Sequence, residues 1–81
     1  MGKIYYTYVL KSDKDKNLYV GHTGGLRKRL IEHNKGFVDS TKSRRPLKLI
    51  YFEACLSEIK SIKREIYFKT GFGRRFLKNR I

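Results

Sequence analysis

The run from Tyr6 to Asn34, YTYVLKSDKDKNLYVGHTGGLRKRLIEHN, leaves this chain few ways to fold. Leading into it, Ile4, Tyr6, Tyr8 and Leu10 alternate with Tyr5, Thr7 and Val9. A period of two built from β-branched and aromatic residues is the pattern of a strand, here Ile4 to Leu10. Ser12 to Asn17 is charged and rich in turn formers, so it closes a hairpin onto a second strand, Leu18 to Gly21. That pairing sets Tyr8 and Tyr19 near one another. Thr23 is placed to cap a helix whose wheel puts Leu26 and Leu30 on the inner side, and Gly36 ends it after Lys35. A sheet edge and a basic helix therefore meet at one small site.

The rest of the chain completes that frame. Phe37 to Arg45 is polar, basic and without period, hence a loop, and Pro46 opens a third strand, Leu47 to Ala54, where it has no ladder hydrogen bond to donate. Ser57 caps a further helix with Ile59, Ile62 and Ile66 as its apolar stripe, closed by Gly71. Phe72 to Ile81 carries Phe72, Phe76 and Leu77 among arginines and lysines, as suits a short final helix with its basic heads in water. Helices inserted after the second and third strands predict an α+β fold: a small three-stranded antiparallel sheet flanked by helices, one face covered and the other open or lightly covered. Residues 1–81 make a single domain, because a chain this short buries only about 60% of the surface its unfolded form exposes.

Twenty Lys and Arg stand against seven Asp and Glu, a net charge of +13 spread along the chain. Small domains usually carry a net charge of about 2–8 in magnitude, so this excess exceeds what solubility asks for and points to a polyanionic partner. Arg27 and Lys28 on the first helix, with Lys42, Arg44 and Arg45 in the loop, are the candidate phosphate contacts. The lone Cys55 has no partner for an internal disulfide and, with only two histidines, no four-ligand structural zinc site can be assembled. No stretch approaches the roughly 20 apolar residues of a membrane span, and the N-terminus has neither a secretory leader nor a myristoylation pattern. The expectation is a soluble, cytoplasmic protein that binds nucleic acid.

Phosphodiester cleavage needs a base near a water, a cation at the scissile phosphate and a group to stabilise developing charge. Arg29 and His33 are four residues apart and flank the apolar stripe of their helix, which turns a guanidinium fork towards the sheet; helix geometry alone also allows Arg29 to be one more solvated charge beside Arg27 and Lys28. His33 can serve a phosphate or a proton, or fill the core margin. Tyr8 and Tyr19, two of six tyrosines, read equally as core residues, and a phenol with a pKa near 10 is a base at neutral pH only if cations such as Arg29 favour the phenolate. Glu65 sits beside Ile62 at the edge of its stripe, where it can hold a cation or pair with Lys69; Glu58 is the rival ligand.

Tyr8 at the end of an aromatic strand motif, Tyr19-Val20-Gly21, Arg29 eight residues past that glycine and His33 four further on together resemble the GIY-YIG nuclease domain. The likeness continues through Asn34-Lys35-Gly36, Arg45-Pro46 and Lys63-Arg64-Glu65, nearly the whole chain, and is similar to the nuclease domains of the excinuclease C subunit and of intron homing endonucleases. It departs in the first triplet, which reads Tyr6-Thr7-Tyr8, and in Val20 within the second. The resemblance implies a metal-dependent endonuclease hydrolysing DNA phosphodiester bonds, structure-directed or weakly specific, in repair or general DNA metabolism. Tyr8 becomes the general base, Tyr19 and Gly21 shape the site, Arg29 stabilises charge, His33 orients the nucleophile and Glu65 holds one divalent ion, Mg²⁺ or Mn²⁺. His22 takes a phosphate-contact role, and Asn79 stands where some relatives brace the site. DNA is the implied partner, with RNA possible. The alternative is a non-catalytic DNA- or RNA-binding module that retains the fold, its tyrosines stacking unpaired bases.

Overall fold

The computed structural model describes residues 2–81. The hairpin strands are β1 (Tyr5–Ser12) and β2 (Leu18–Thr23); α1 (Leu26–Asn34), a 3-10 turn (Lys42–Arg44), β3 (Leu47–Cys55), α2 (Glu58–Phe68) and α3 (Gly71–Lys78) follow. Both ladders are antiparallel and the strand order is β2-β1-β3, so β1 is central. The α+β fold expected from the sequence is the one observed.

The register decides what faces what. Tyr8 lies opposite Gly21 on β2 and Phe52 on β3, and Leu10 lies opposite Tyr19 and Leu49. Strand alternation then separates two cores. Tyr8, Leu10 and Leu47 pack with Tyr19, Leu26, Leu30 and Leu49 under α1. Val9 and Val20 pack on the opposite face with Phe68 and Leu77 of α2 and α3 and with Tyr51 and Phe76. Both faces of the sheet are therefore covered, where the sequence pattern left one open. The reason is that β1 is buried on both sides, from Thr7 to Leu10, a run the alternation rule does not anticipate.

Three local readings change. Thr23 does not cap α1: it is the last residue of β2, its hydroxyl accepts from the Gly25 amide at 3.1 Å, and Gly25 takes the cap position without a side chain. Gly71 opens α3 rather than closing α2, and Thr70 caps α3 by accepting from the Gly73 amide at 3.1 Å. The apolar stripe of α2 faces outward, with Ile59 67% and Ile66 60% exposed. Its inner face carries Ser61 and Phe68 instead, because the small Ser61 lets the helix approach β1 closely enough for the Thr7 hydroxyl to donate to the Ser61 carbonyl at 2.8 Å. Gly73 serves a similar close approach: a methyl there would overlap the backbone of Tyr67 and Phe68.

Ser57 caps α2 as expected, accepting from the Lys60 amide at 3.2 Å. Gly36, at φ +81°, ends α1 in the left-handed conformation that glycine adopts without strain. The loop beyond it is pinned to the hairpin: Arg44 pairs with Asp15 at 2.7 Å, and the Ser12 hydroxyl donates to the Arg44 carbonyl at 2.6 Å.

Candidate active site

Tyr8 is the centre of the site. Its side chain crosses the neighbouring strand where Gly21 offers no obstacle; a Cβ at Gly21 would stand 2.5 Å from the phenol oxygen. The glycine is thus required by the tyrosine opposite it. The phenol oxygen lies 2.8 Å from His33 Nε2, and His33 Nδ1 lies 2.7 Å from Thr41 Oγ1. Tyr8, His33 and Thr41 are all essentially without solvent exposure. The Tyr19 ring stands edge-on to His33, centroids 5.1 Å apart, and 6.4 Å from the Tyr8 ring. Two tyrosines and a histidine expected at one place are brought together there.

Burial sets the protonation of this group. It pushes the Tyr8 phenol up to about 12, with the Tyr19 and Glu65 charges adding to it, although the Arg29 guanidinium beside the phenol pulls the other way. Arg29 by itself does not favour the phenolate: desolvation outweighs it. Burial also pushes His33 down to about 4, helped by the charge of Arg29, so the imidazole is neutral at pH 7.

Arg29 reaches the site from the middle of α1 and is held by Glu32 at 3.1 Å. With Lys3, His22, Thr23, Gly24, Gly25 and Lys28 these two line an open polar cleft of about 420 Å³. Glu65 comes from the other side of the sheet. His22 is the partner of Thr7 in the ladder and so faces α2, where its Nδ1 meets Glu65 Oε1; Lys69 Nζ holds Oε2 at 2.8 Å. Burial raises the Glu65 pKa, but the hydrogen bonds from Lys69 and His22 outweigh it and the net shift is downward, so Glu65 is a carboxylate at neutral pH. The Lys69 pair anticipated for Glu65 is real, and His22 is engaged by the same carboxylate. The site therefore straddles β2 rather than lying on one face.

The remaining candidates divide. Arg27 and Lys28 are exposed on α1, and Lys42 is exposed with only a 3.6 Å pair to Asp39. Arg45 is exposed, its Nε donating to the Lys42 carbonyl and its guanidinium lying over Gly36. Arg44 is half-buried in its pair with Asp15 and serves the hairpin. Asn79 is exposed at the end of α3. Lys3, Glu32 and Thr41 enter the site without having been singled out; Glu32 was legible as the i,i+3 partner of Arg29, whereas Lys3 and Thr41 lie in segments with no period.

Residues 4–79 match the GIY-YIG catalytic domain. The chain belongs to the GIY-YIG family. Its relatives include the UPF0213 proteins of Bacillus pumilus (42% identical over 67 residues, 82% of this chain and 67% of the relative), Clostridium perfringens (43% over 65 residues, 79% and 69%) and Syntrophus aciditrophicus (46% over 66 residues, 79% and 75%). GIY-YIG membership supports a nuclease-type function, and nucleases of the family generally use a divalent metal ion. No three His, Cys, Asp or Glu side chains converge among the described residues. Glu65, an ionised carboxylate, stands behind the cleft wall and meets it through His22; a hard, largely hydrated cation such as Mg²⁺ needs only one or two carboxylates beside water and substrate phosphate, so Glu65 suffices as its protein donor once Lys69 and His22 release it. Among the described residues no helix is long and apolar enough to cross a membrane.

Proposed function

We propose that this protein is a metal-dependent endonuclease hydrolysing DNA phosphodiester bonds, of low or structure-directed specificity, acting in DNA repair or general DNA metabolism. The observation that carries the reading is the convergence of Tyr8, His33 and Arg29 beside Glu65 across one edge strand. Glu65 would hold a cation, Mg²⁺ or Mn²⁺, which when bound would supply Lewis-acid stabilisation of the scissile phosphate. Arg29, a planar donor fork in the cleft, grips phosphate oxygens and stabilises the charge that grows on them. Tyr8 takes a proton from the attacking water while its own hydroxyl proton passes to His33. The hydroxide bonds to phosphorus, the bond from phosphorus to the leaving oxygen breaks, that oxygen is protonated by solvent, and His33 returns its extra proton through Tyr8 to solvent. Tyr19, edge-on to His33, holds the imidazole in place. Arg27, Lys28, Lys42 and Arg45 are exposed to meet flanking phosphates, and His22, which lines the cleft, would join them. Asn79 is the member of the expected set with least support.

The rival reading, a nucleic-acid-binding module for DNA or RNA, is favoured by one feature: both Glu65 oxygens are already held by His22 and Lys69. A time course on supercoiled plasmid and branched DNA, with Mg²⁺ or Mn²⁺ against EDTA, separates the two. The nuclease reading expects metal-dependent nicked product that Glu65→Ala abolishes while DNA binding persists. Tight binding with every substrate intact would select the module.

A further inference from the structure

Thr41 is fully buried in a loop whose other polar residues, save the half-buried Arg44, are exposed, and among the described residues its hydroxyl hydrogen-bonds His33 Nδ1 at 2.7 Å and the Val38 carbonyl at 3.5 Å, a carbonyl that also accepts from the Thr41 and Lys42 amides. His33 and Tyr8 continue the chain inward at 2.8 Å. The two ends of this chain fix its direction. The Val38 carbonyl can only accept a hydrogen bond, and the Arg29 guanidinium beside the Tyr8 phenol can only donate. If the protons ran the other way, Thr41 would donate to Nδ1 and Nε2–H to the phenol oxygen. The phenol hydrogen, on a side chain 1% exposed, would then have no acceptor. Only one arrangement gives each hydrogen an acceptor: Tyr8 O–H to Nε2, Nδ1–H to Thr41 Oγ1, and Thr41 O–H to the Val38 carbonyl.

We infer that Thr41 is a positioning residue that fixes His33 in its Nδ1–H tautomer and so keeps Nε2 open to take the Tyr8 proton. The inference rests on the nuclease reading for its consequence, though not for its geometry. Thr41 touches neither substrate nor metal. It acts by closing off the tautomer in which His33 would donate to Tyr8 and leave the phenol unable to pass on its proton.

The test has two readouts. Nitrogen NMR of ¹⁵N-histidine-labelled protein at neutral pH, with the His22 signals identified from His22→Gln, reads the His33 tautomer without substrate. The wild type and Thr41→Ser are expected to show a protonated Nδ1 and a bare Nε2. Thr41→Val, which keeps shape and loses the hydroxyl, is expected to populate the Nε2–H form. Removing the partner that orients a histidine typically lowers activity by about 10- to 100-fold, the expected loss of plasmid cleavage in Thr41→Val, recovered in Thr41→Ser. A wild type with Nε2–H overturns the inference. So does a Thr41→Val protein that keeps the wild-type tautomer or the wild-type cleavage rate, or a Thr41→Ser protein that recovers neither. A wild type that cuts no DNA removes the nuclease reading instead and leaves the tautomer result to be judged by the spectrum.

Discussion

The two faces of the sheet both bury polar groups, and they do so in opposite electrical styles. Under α1, Tyr8, His33 and Thr41 form a neutral chain of hydrogen bonds, dry along its length and open to the cleft only at Arg29. Under α2 and α3, Glu53 takes Arg64 in a two-point ion pair at 2.8 and 3.1 Å and accepts from the Tyr51 hydroxyl at 2.6 Å. The Arg64 guanidinium also lies 4.6 to 4.9 Å from the rings of Tyr67, Phe68 and Phe76. The Glu53–Arg64 charges are matched to each other and packed beside aromatic rings, which fits the pair for holding helices to a sheet. The neutral face keeps protons that can move and leaves its one cation facing water, which suits a reaction. The sheet thus carries two small cores, the neutral chain of hydrogen bonds in one and the Glu53–Arg64 pair beside the other, and only Glu65 with His22 links the α2 side to the cleft.

The arginines offer the largest contrast. Arg29→Ala is expected to lower cleavage by about 10²–10³-fold, the usual cost of removing a preorganised donor to developing charge. Its effect on stability should stay under about 1 kcal/mol, because its pair with Glu32 is half-exposed. Arg64→Ala is expected to do the reverse: it strands Glu53 and uncovers three rings, at a cost of about 2–3 kcal/mol in urea unfolding, while the folded protein still cuts. Cleavage lost in Arg64→Ala with stability unchanged would erase the distinction between the faces.

Acid gives a smaller and more selective effect. The folded pKa of His33, about 4, lies below its ordinary 6.5, so between those values the unfolded chain binds a proton that the folded one refuses. Stability from this group is present above pH 6.5 and is lost as pH falls towards 4. His33→Gln should flatten the profile between pH 6.5 and about 4.5, above the range where the paired carboxylates begin to titrate. Tyr8 works at the other end: its pKa is raised to about 12, so its contribution is intact below pH 10 and disappears as pH climbs through 12. A wild-type stability that is level from pH 7 to 4.5 would contradict a dry, neutral His33.

Much of this was legible in the sequence where local pattern and tertiary packing agree. The hairpin, the end of α1 at Gly36, β3 and the Ser57 cap of α2 follow from periods and turn residues acting over a few positions. The nearness of Tyr8 to Tyr19 follows from the hairpin, whereas the exact partner of Tyr8, Gly21, comes from the register. The buried face of α2 was not legible, because Ser61 and Phe68 face β1 by close approach, and the isoleucine stripe that the wheel picks out sits about a third of a turn away. The second covered face was hidden in the same way. Thr41 carried no signal at all: its role depends on a loop folding back over α1, and no spacing encodes that.

The most direct test removes one hydroxyl from each face. Tyr8→Phe and Tyr51→Phe each delete a phenol oxygen that bonds a partner in the sheet layer, His33 in one case and Glu53 in the other. Single-turnover cleavage of branched DNA with Mg²⁺, measured beside DNA binding, should fall by about 100-fold or more in Tyr8→Phe with binding retained. Tyr51→Phe should cut within about twofold of wild type and lose roughly 1 kcal/mol of stability instead. Equal loss of cleavage in both, or full cleavage by Tyr8→Phe, would contradict the assignment of proton transfer to the Tyr8–His33 pair under α1.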